Sequence, residues 1–470
     1  MEIPVSIKEV QAGLLNKKFD ATQLVNSYLE RIKKYDKEIN SFLTVTEERA
    51  FSDAKKVDEE ISNKAEKAFS EKPLLGAVVA LKDLYLTKGI RTTAASKVLT
   101  DYIPAYSSTV VKRLEEAGAI LIGKTNCDAW AHGASGENSD FGPTKNPWNK
   151  ACVPGGSSSG SAASIASSFA TFAMGTDTGG SIRQPSSFCN LVGLKPTYGA
   201  VSRYGVVAMA SSLDSMGCLT STVTDARKIF NVIKGRDEFD GTVKDFPKSN
   251  SGKKKIRIGI PKEYFTEGLD REVEKLALEA SHVLKKNGVE LVDVTLPHTK
   301  YAVAVYYIVQ PAEVSSNLGR YDGVRFGNDR EAFGDEAKRR IMLGTYVLSS
   351  GYYDAYYLKA MKVRSKIIED FEKAFEKVDV ILSPVSPTPA FKIGEKANDP
   401  LKMYLADIYT VAANLAGIPG LSIPGGFTKN GLPVGFQLLG PRFSEDTLFD
   451  LGEKYQEETD WHLKRPNLEK

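Results

Sequence analysis

The sequence predicts an α/β fold, a class in which helices and strands alternate along the chain and the helices cover a sheet. Short apolar runs typical of buried strands, such as AVVALKD at 77–83, recur between stretches whose apolar residues follow helical spacing. The chain has 470 residues, 42% of them hydrophobic, which is enough for a large buried core. This length suits two to three domains, or one large core with insertions.

The elements of the first half follow from local patterns. A helix is predicted at 20–36, where apolar residues share one face and Asp20 or Thr22 can cap the first turn. The charged stretch near 51–72 is predicted to be a helix with a solvated end. The next predicted elements are the strand 77–83, the helix 109–118 that ends at a glycine, and the strand 119–123.

The segment GGSSSGSAASIASS at 155–168 has the composition of a linker. It is followed directly by the apolar run FATFAMG at 169–175, which is typical of a buried strand. We therefore predict a loop that leads into a closely packed helix of small residues, and then a strand.

The second half begins after a polar stretch at 236–255, which we interpret as a domain boundary or surface insertion. The same reasoning on periodicity and stop signals applies beyond it. The predicted elements are the strand 255–261, a helix from Val273 to Leu284 that Gly288 stops, the strand 289–297, a long helix at about 354–377, the strand 378–384, and two terminal strands joined by a turn at 429–431.

Composition argues against several classes of protein. The net charge of +3 is small for this length, so a dedicated nucleic-acid surface is not expected. No stretch approaches 18 uninterrupted apolar residues, so no membrane association is expected. The four cysteines lack the paired spacing of a zinc site, so no bound metal is expected. Scattered cysteines and an N-terminal stretch without the apolar core of a signal peptide predict a cytoplasmic protein.

Two literal motif matches are not expected to be functional. GAILIGKT at 118–125 fits the pattern of a phosphate-binding loop, but its four variable residues have the character of a strand. GSSSG at 156–160 fits the nucleophile elbow of a hydrolase, but no strand precedes it. A histidine base would also be needed, and His132, the one candidate, has no obvious partner.

A lysine can replace histidine as the base that activates a serine, provided that burial keeps it neutral. Lys82 follows four apolar residues, although a lysine at the end of a strand more often extends its amine to water. Two serine-containing segments follow it along the chain, GGSSSGS at 155–161 and TDTGGSIRQP at 176–185.

Taken together, Lys82 in its strand and these two segments resemble the amidase signature family. The resemblance implies a Ser–cisSer–Lys triad, with Ser181 as nucleophile, Ser157 as bridging serine after a cis peptide bond at Gly156, and Lys82 as terminal base. It also implies the amidase signature fold, a large mixed and twisted β-sheet covered by helices on both faces.

The paired glycines of TDTGGSIRQP fit this chemistry, because Gly179 and Gly180 permit a tight turn. We expect the backbone N–H groups of Thr178, Gly179 and Gly180 to form an oxyanion hole for the oxygen of the substrate amide. Loss of one such donor typically lowers the rate by about 10²–10³.

Longer stretches resemble one group within the family. The segments at 123–149, 191–217, 338–364 and 406–424 are similar to the A subunits of glutamyl-tRNA(Gln) amidotransferases. The resemblance covers nearly the whole chain, from about residue 10 to 445.

This resemblance implies a single amidase domain over the whole chain. Its parts are a helical N-terminal segment at about 1–70, a signature core at about 74–235, the insertion or linker at about 236–255, and the C-terminal part of the same core at about 256–470.

The resemblance also implies an activity and partners. The chain would be the glutaminase subunit of a ligase, and its ammonia would serve the ATP-dependent conversion of Glu-tRNA(Gln) to Gln-tRNA(Gln). The implied assembly is a heterotrimer with a B subunit, which carries out transamidation and holds most of the tRNA, and a small bracing C subunit. ATP and Mg²⁺ would be used by the complex, and no cofactor is expected in this chain.

Glutamine carries an α-carboxylate and an α-ammonium group, so its site requires a fixed cation and a fixed anion. Alignment with the family's segments assigns the carboxylate to Arg340 and the ammonium group to Asp407. One of Tyr306 and Tyr307 is expected to line the pocket, with Tyr306 as the candidate. Ser158 is a further candidate for substrate contact.

Two other interpretations stay open. A stand-alone amidase would act on another small amide, and the presence or absence of genes for both partner subunits in the same genome would distinguish it. A non-catalytic scaffold would keep the fold for interaction alone, and the intact triad positions argue against it.

Overall fold

The computed structural model describes residues 3–246, 255–324, 327–396 and 399–469. These residues form one mixed sheet of eleven strands, in the order β1-β3-β2-β4-β6-β5-β10-β11-β9-β7-β8. The strands are β1 (Phe42–Val45), β2 (Val78–Lys82), β3 (Ile120–Thr125), β4 (Phe172–Asp177), β5 (Val192–Lys195), β6 (Ser215–Thr220), β7 (Arg257–Pro261), β8 (Glu290–Val294), β9 (Val380–Pro384), β10 (Gly420–Phe427) and β11 (Pro433–Leu439).

The α-helices lie between and around these strands. They are α1 (Ile7–Leu15), α2 (Ala21–Ile39), α3 (Glu47–Lys64), α4 (Glu66–Glu71), α5 (Thr109–Glu116), α6 (Ser159–Ala166), α7 (Arg183–Phe188), α8 (Val223–Ile233), α9 (Arg271–Lys286), α10 (Ala302–Leu318), α11 (Asp335–Val347), α12 (Lys359–Lys377), α13 (Pro400–Tyr404), α14 (Val411–Ala416) and α15 (Glu445–Glu457). None of the described helices is both long enough and apolar enough to span a lipid bilayer.

Helices cover both faces of the sheet, as the sequence predicts. Successive side chains of a strand point to opposite faces. In β2, Val78 and Ala80 belong to the core shared with α2, α3 and α6, whereas Val79 and Leu81 belong to the core shared with α5 and α8. A third apolar core packs α10, α12 and α14 against the C-terminal strands.

The sheet consists of two halves that follow the order of the chain. The first six strands occupy one end of the sheet and the last five occupy the other end. They join where β5 pairs antiparallel with β10, with Leu194 opposite Leu421. The division into sequence segments stays a prediction, but the sheet is continuous across this junction.

Most predicted elements are present, with differences at their ends. Asp20 rather than Thr22 caps α2, and its side chain accepts a hydrogen bond from Gln23 N. The predicted helix near 51–72 is divided at Ala65, where the backbone has a positive φ of 48°. The helix predicted at 354–377 begins with a π-helical turn at Tyr353–Leu358 before α12.

The proposed insertion at 236–255 is only partly described, since 247–254 lie outside the described residues. Its first part packs on the domain: Phe239 stacks on Tyr204 with ring centroids 4.3 Å apart, and Asp240 forms an ion pair with Arg203 at 2.9 Å. Residues 236–246 are therefore attached to the core and do not form a free linker.

Candidate active site

The site lies at the carboxyl ends of β2 and β4. These strands are parallel neighbours, with Leu81 opposite Met174, so their carboxyl ends lie at the same edge of the sheet. Lys82 is the last residue of β2, and Asp177 is the last residue of β4. The turn that carries Ser181 follows β4 directly, and the serine-rich loop at 155–158 enters α6 beside it.

The helix α6 explains the linker-like composition of its segment. All eight residues of α6 are buried, and they are Ser, Gly, Ala and Ile. A Cβ at Gly160 would contact the backbone N and O of Asn126 at 2.6 Å, so a larger residue could not be accommodated without displacement of the neighbouring chain. Small side chains allow this helix to bring the preceding loop against the end of β2.

Lys82 is completely buried, and three hydroxyl groups surround its amine. Its Nζ lies 2.7 Å from Ser157 Oγ, 3.1 Å from Ser158 Oγ and 2.9 Å from Thr176 Oγ1. An ammonium group can donate to all three hydroxyls, and a neutral amine can accept a proton from one of them.

Burial lowers the pKa of Lys82 to about 8, even though nearby carboxylates, Asp128 among them, favour its charged form. About a tenth of the amine is therefore neutral at pH 7, far more than for a lysine with an ordinary pKa. The alternative in which Lys82 extends its amine to water is excluded by its position. The predicted terminal base and the predicted bridging serine, Ser157, are in direct contact.

The peptide bond between Gly156 and Ser157 is cis, as the family resemblance implies. Gly156 N donates to Gln184 Oε1 at 3.0 Å. A Cβ at position 156 would collide with Asp128 Oδ2, which makes glycine necessary there. Gly156, which precedes the bridging serine, is thus enclosed by the side chains of Gln184 and Asp128.

Ser181 follows the two glycines and is 8% exposed, so its hydroxyl is near the surface of the site. Its carbonyl oxygen accepts a hydrogen bond from Ser158 N at 3.2 Å, which joins the two serine segments. Within the described part of the chain, no hydrogen bond links the Ser157 and Ser181 hydroxyls. Catalytic hydrogen bonds are often long in ligand-free sites, so the second link of the relay stays a prediction.

The structure corrects the predicted oxyanion hole at one position. Gly180 N donates to Asp177 Oδ1 at 2.9 Å, so this N–H group is already committed to a carboxylate. Among the described residues, the N–H groups of Thr178, Gly179 and Ser181 have no protein acceptor. These three groups, and not that of Gly180, are available to a substrate oxygen.

Gly180 is required for its shape. Its φ is +137°, a backbone region that favours glycine, and a Cβ there would collide with the Thr410 hydroxyl. Thr410 Oγ1 in turn donates to Gly179 O at 2.6 Å. A Cβ at Gly179 would lie 2.8 Å from Tyr306 Oη, so the turn is enclosed by the C-terminal half of the chain.

Two charged residues that the sequence reasoning missed hold this turn. Asp177 and Arg183 are both completely buried and form an ion pair at 3.0 Å. Burial alone would raise the pKa of Asp177, but the charge and hydrogen bonds of Arg183 outweigh it and lower the pKa to about 2. Arg183 also donates to Gln437 Oε1 at 2.9 Å and to Asn414 Oδ1 at 2.7 Å.

The signal for these residues is present in the sequence. Asp177 and Arg183 flank the Gly-Gly-Ser turn in TDTGGSIRQP, and a carboxylate before a helix commonly accepts the unpaired N–H groups of its first turn. Asp177 does so for Ile182 N and Arg183 N, at 3.2 and 3.4 Å. The partners of Arg183, Asn414 and Gln437, lie 231 and 254 residues away along the chain, and no local pattern indicates them.

The two residues predicted to recognise the charged ends of glutamine are brought together around Tyr307. Tyr307 Oη donates to Asp407 Oδ2 at 3.4 Å, and the Arg340 guanidinium lies 5.1 Å from the centre of the Tyr307 ring. Burial raises the pKa of Asp407 to about 7, although Arg340 favours its charged form. Thr410 Oγ1 also contacts Asp407 O at 3.0 Å, which connects this subsite to the nucleophile turn.

Arg340 is buried and only partly satisfied by the protein. Its Nε donates to Glu336 Oε1 and its Nη1 to Gln310 Oε1, both at 2.7 Å. Among the described residues, Nη2 has no acceptor. Arg340 is therefore not a surface side chain, and one of its nitrogens is available for an anion.

Both candidate tyrosines, Tyr306 and Tyr307, lie at the site. Tyr306 Oη lies against Gly179, whereas Tyr307 contacts both Asp407 and the Arg340 guanidinium. Tyr404 stacks on Tyr307 with ring centroids 3.7 Å apart.

The predicted substrate contact of Ser158 is not supported. Its side chain is completely buried, close to Lys82 Nζ, and its hydroxyl donates to Thr176 O at 3.3 Å. Ser158 therefore belongs to the surroundings of the lysine and does not face a substrate.

The two rejected motifs behave as expected. The variable residues of GAILIGKT lie in and before β3, a buried strand, and Ser158 precedes α6 without a strand before it. Among the described residues, no group of three or more His, Cys, Asp and Glu side chains is arranged to hold a metal ion.

The site presents a serine beside free N–H groups, and a buried lysine in contact with a second serine.

Comparisons with known proteins agree with this geometry. The family model described as Amidase matches residues 23–449. The A subunit of the glutamyl-tRNA(Gln) amidotransferase of Geobacter metallireducens is 51% identical, over 99% of this chain and 99% of its own length.

Solved structures show the same likeness. The crystal structure of the glutamyl-tRNA(Gln) amidotransferase A subunit from Thermotoga maritima is 40% identical, with a TM-score of 0.81, over 98% of this chain and 97% of that one. A peptide amidase in complex with the inhibitor chymostatin is 28% identical, with a TM-score of 0.85, over 98% of this chain and 99% of that one. Together with the triad geometry, these matches show that the chain belongs to the amidase family, in the group of the glutamyl-tRNA(Gln) amidotransferase A subunits.

Proposed function

We propose that this chain hydrolyses glutamine and supplies the ammonia for conversion of Glu-tRNA(Gln) to Gln-tRNA(Gln). The observation that carries the proposal is that Arg340 and Asp407, a potential cation and anion, both contact Tyr307 close to the turn of Ser181. A free amino acid presents both charges at its α-carbon, whereas a simple amide presents neither.

In the proposed mechanism, neutral Lys82 accepts the proton of Ser157 Oγ while Ser157 accepts the proton of Ser181 Oγ. Ser181 Oγ then forms a bond to the side-chain carbonyl carbon of glutamine. The carbonyl oxygen becomes an oxyanion, which the free N–H groups of Thr178, Gly179 and Ser181 stabilise.

Collapse of the tetrahedral intermediate breaks the carbon–nitrogen bond. The proton held by Lys82 returns through Ser157 to the leaving nitrogen, which departs as ammonia. A glutamyl ester remains on Ser181, and water hydrolyses it by the same relay, so that glutamate is released and Ser181 regains its proton.

Recognition of glutamine is assigned to the C-terminal half of the chain. Arg340 Nη2 would bind the α-carboxylate, and Asp407 would accept the α-ammonium group. Tyr306 and Tyr307 would enclose the aliphatic part, because Tyr306 lies against Gly179 and the adjacent Tyr307 contacts both Asp407 and Arg340.

The proposal includes the remainder of the reaction in a complex. The relatives are named as subunits, which supports assembly with a B subunit that carries out transamidation and a small C subunit. ATP and Mg²⁺ would act in the complex, and Glu-tRNA(Gln) would bind mainly to the B subunit. The small net charge of +3 fits a chain that does not itself bind most of the RNA. We place the complex in the cytoplasm.

The proposal is tested by co-expression of this chain with both partner subunits. The wild type should release glutamate from glutamine and form Gln-tRNA(Gln) in the presence of ATP. In the Ser181→Ala variant both glutamine-dependent reactions should be lost, while transamidation with added ammonium chloride should persist, because free ammonia bypasses the site.

Two results would contradict the proposal. Near-normal glutamine hydrolysis by Ser181→Ala would exclude this serine as the nucleophile. Failure of the wild-type complex to hydrolyse glutamine, with hydrolysis of simple amides instead, would favour a stand-alone amidase.

A further inference from the structure

His132 is a buried side chain at the edge of the site that the triad mechanism does not use. It is 1% exposed, and neither of its ring nitrogens has a hydrogen-bond partner among the described residues. A buried polar group normally has a partner, because leaving it without one costs about 1–3 kcal/mol. Both nitrogens of this ring are therefore available to a further group, one as a donor and one as an acceptor.

The main chain of His132 is fixed relative to the bridging serine. Asp128 N donates to Ser157 O at 3.2 Å, and the Asp128 carboxylate accepts hydrogen bonds from Gly136 N and Asn138 N. Asn138 Nδ2 then donates to His132 O at 2.8 Å. The loop that carries His132 is therefore anchored on the catalytic side of the site.

The same loop packs against the helices that carry the substrate-binding residues. The Trp130 ring lies 5.3 Å from the ring of Phe333, just before α11, and both belong to an apolar core that includes Ala337. Arg340 follows Ala337 by one turn on α11. The loop that carries His132 thus connects to the bridging serine through its main chain and packs through Trp130 against the start of the helix that carries Arg340.

A second unpartnered group accompanies the imidazole. Gln310 on α10 is completely buried, and its Oε1 accepts from Arg340 Nη1, but its Nε2 has no partner in the described part of the chain. Arg340 Nη2, Gln310 Nε2 and one His132 nitrogen are all able to donate a hydrogen bond. Free donors on Arg340 and on Gln310, which contacts it, favour an anion with several acceptor oxygens, such as a carboxylate.

The charge state of His132 agrees with this assignment. Burial, and secondarily the positive charge of Arg340, lower the pKa of His132 well below its usual value. At neutral pH the ring is uncharged and carries one N–H donor and one acceptor.

We propose that His132 is a substrate-binding residue that donates its ring N–H to the α-carboxylate of glutamine beside Arg340. This inference rests on the proposed function, and it assigns the residue a role in specificity rather than in proton transfer. His132 would fix the second carboxylate oxygen, so that glutamine is oriented with its side-chain amide at Ser181.

The test compares glutamine with 4-aminobutanamide, which is glutamine without its α-carboxylate. For the co-expressed complex carrying His132→Leu, the glutamine KM should rise by about tenfold or more, since hydrogen bonds to charged groups are stronger than those between neutral groups. The kcat/KM for 4-aminobutanamide should change by less than about twofold, because that substrate never reached the lost donor.

Three further variants make the result specific. His132→Asn keeps an N–H donor and should recover part of the glutamine KM, whereas His132→Met keeps the volume without a donor and should resemble His132→Leu. If the leucine variant does not fold, the methionine variant takes its place in the comparison. His282→Leu, at an exposed position of α9, is the matched control and should behave as the wild type.

The outcomes separate the two proposals. Equal losses on both substrates, or an unchanged glutamine KM in His132→Leu and His132→Met, would overturn the role of His132 while glutamine hydrolysis by the wild type still supports the proposed function. Absence of glutamine hydrolysis by the wild-type complex would overturn both.

Discussion

Lys82 and Asp407 are buried ionisable side chains, and burial brings the pKa of each close to neutral pH. Burial lowers the pKa of Lys82 to about 8 and raises that of Asp407 to about 7. Both groups are needed in their unprotonated forms, Lys82 as a base and Asp407 as an anion for the ammonium group. Acid therefore inhibits the site through two different residues, one acting on proton transfer and one on binding.

We expect the kcat/KM for a simple amide such as butyramide to follow Lys82 alone. The lysine is protonated below its pKa of about 8, so activity should fall about tenfold for each pH unit below this value. A pH profile of butyramide hydrolysis measures this decrease in activity. A flat profile between about pH 6 and 8 would exclude Lys82 as the base.

For glutamine, recognition should depend on Asp407 and Arg340. Removal of one partner from a buried charged contact costs about 2–5 kcal/mol, so Asp407→Asn and Arg340→Ala should each raise the glutamine KM steeply. The butyramide kcat/KM should change far less. In the wild type the glutamine KM should also rise as the pH falls below about 7, because Asp407 then becomes protonated.

Steady-state kinetics on both substrates in each variant check this prediction. Similar losses for glutamine and butyramide would mean that the two residues support the fold and do not recognise the amino acid. The comparison of two substrates also distinguishes a defect in glutamine binding from a defect in the proton relay, because a relay defect affects both substrates.

The relay itself predicts non-additive losses. Lys82→Ala and Ser157→Ala interrupt the same proton path, which is supported by the 2.7 Å contact between their side chains. The double variant should therefore be about as inactive as either single variant. Rates for the two single variants and the double variant give the coupling directly, and losses that multiply would show that the residues act independently.

At the scale of the element, the turn between β4 and α7 depends on glycine for two separate reasons, backbone conformation and close contact. Gly180 has a φ of +137° and no space for a Cβ beside Thr410. Gly268 has a φ of +100° but nothing within 4 Å of the position of its Cβ. Both glycines have a positive φ, but only Gly180 has a neighbouring side chain where a Cβ would lie.

We expect Gly268→Ala to reduce the free energy of unfolding by about 1 kcal/mol without loss of activity, since only backbone strain is introduced. Gly180→Ala should destabilise more and should remove most glutamine hydrolysis, because Thr410 or the turn must move. Chemical unfolding and glutaminase assays of both variants measure the difference. Equal behaviour of the two variants would show that the contact with Thr410 does not shape the turn.

Individual elements differ in how well the sequence predicts them. The strand β2 and the helix α9 have regular apolar patterns and were predicted close to their observed bounds. The strand β5 has only four residues, VGLK, and β6 reads SMGCLT, so neither has a pattern that distinguishes it from a loop. The helix α10 contains Pro311, a residue that normally argues against a helix interior.

The candidate site shows the same limit. Lys82, Ser157 and Ser181 lie in short segments whose order along the chain is recognisable. Thr178 and Gly179 were predicted as donors of the oxyanion hole, but the exclusion of Gly180 could not be predicted, because it depends on Asp177 accepting the Gly180 N–H. Likewise, the hydroxyl of Ser158 is directed by contacts with Lys82 and Thr176 that form only after folding.

At the scale of the whole molecule, the two halves of the sheet contribute different residues to the site. Lys82, Ser157 and Ser181 belong to the half that contains the first six strands, whereas Arg340 and Asp407 belong to the half that contains the last five. The β5–β10 pairing and the buried side chain of Arg183, which reaches Asn414 and Gln437, join the halves.

Fragments 1–246 and 255–470, when co-expressed, should therefore associate into one particle. Each fragment alone would expose an unpaired strand at the junction and the apolar surface behind it, and should aggregate. Co-purification through a tag on one fragment, followed by size-exclusion chromatography, measures the association. Two soluble fragments that do not bind each other would show that the halves are independent domains.

The bonds from Thr410, Asn414 and Gln437 to the nucleophile turn have a consequence for the order of synthesis. The ribosome completes all three residues of the triad long before it reaches these partners near the end of the chain. Until then Asp177 and Arg183 lack their remaining partners, and Gly179 O lacks the Thr410 hydroxyl. A nascent chain that stops before Thr410 therefore carries its nucleophile without these contacts, and hydrolysis begins only after translation has passed Gln437.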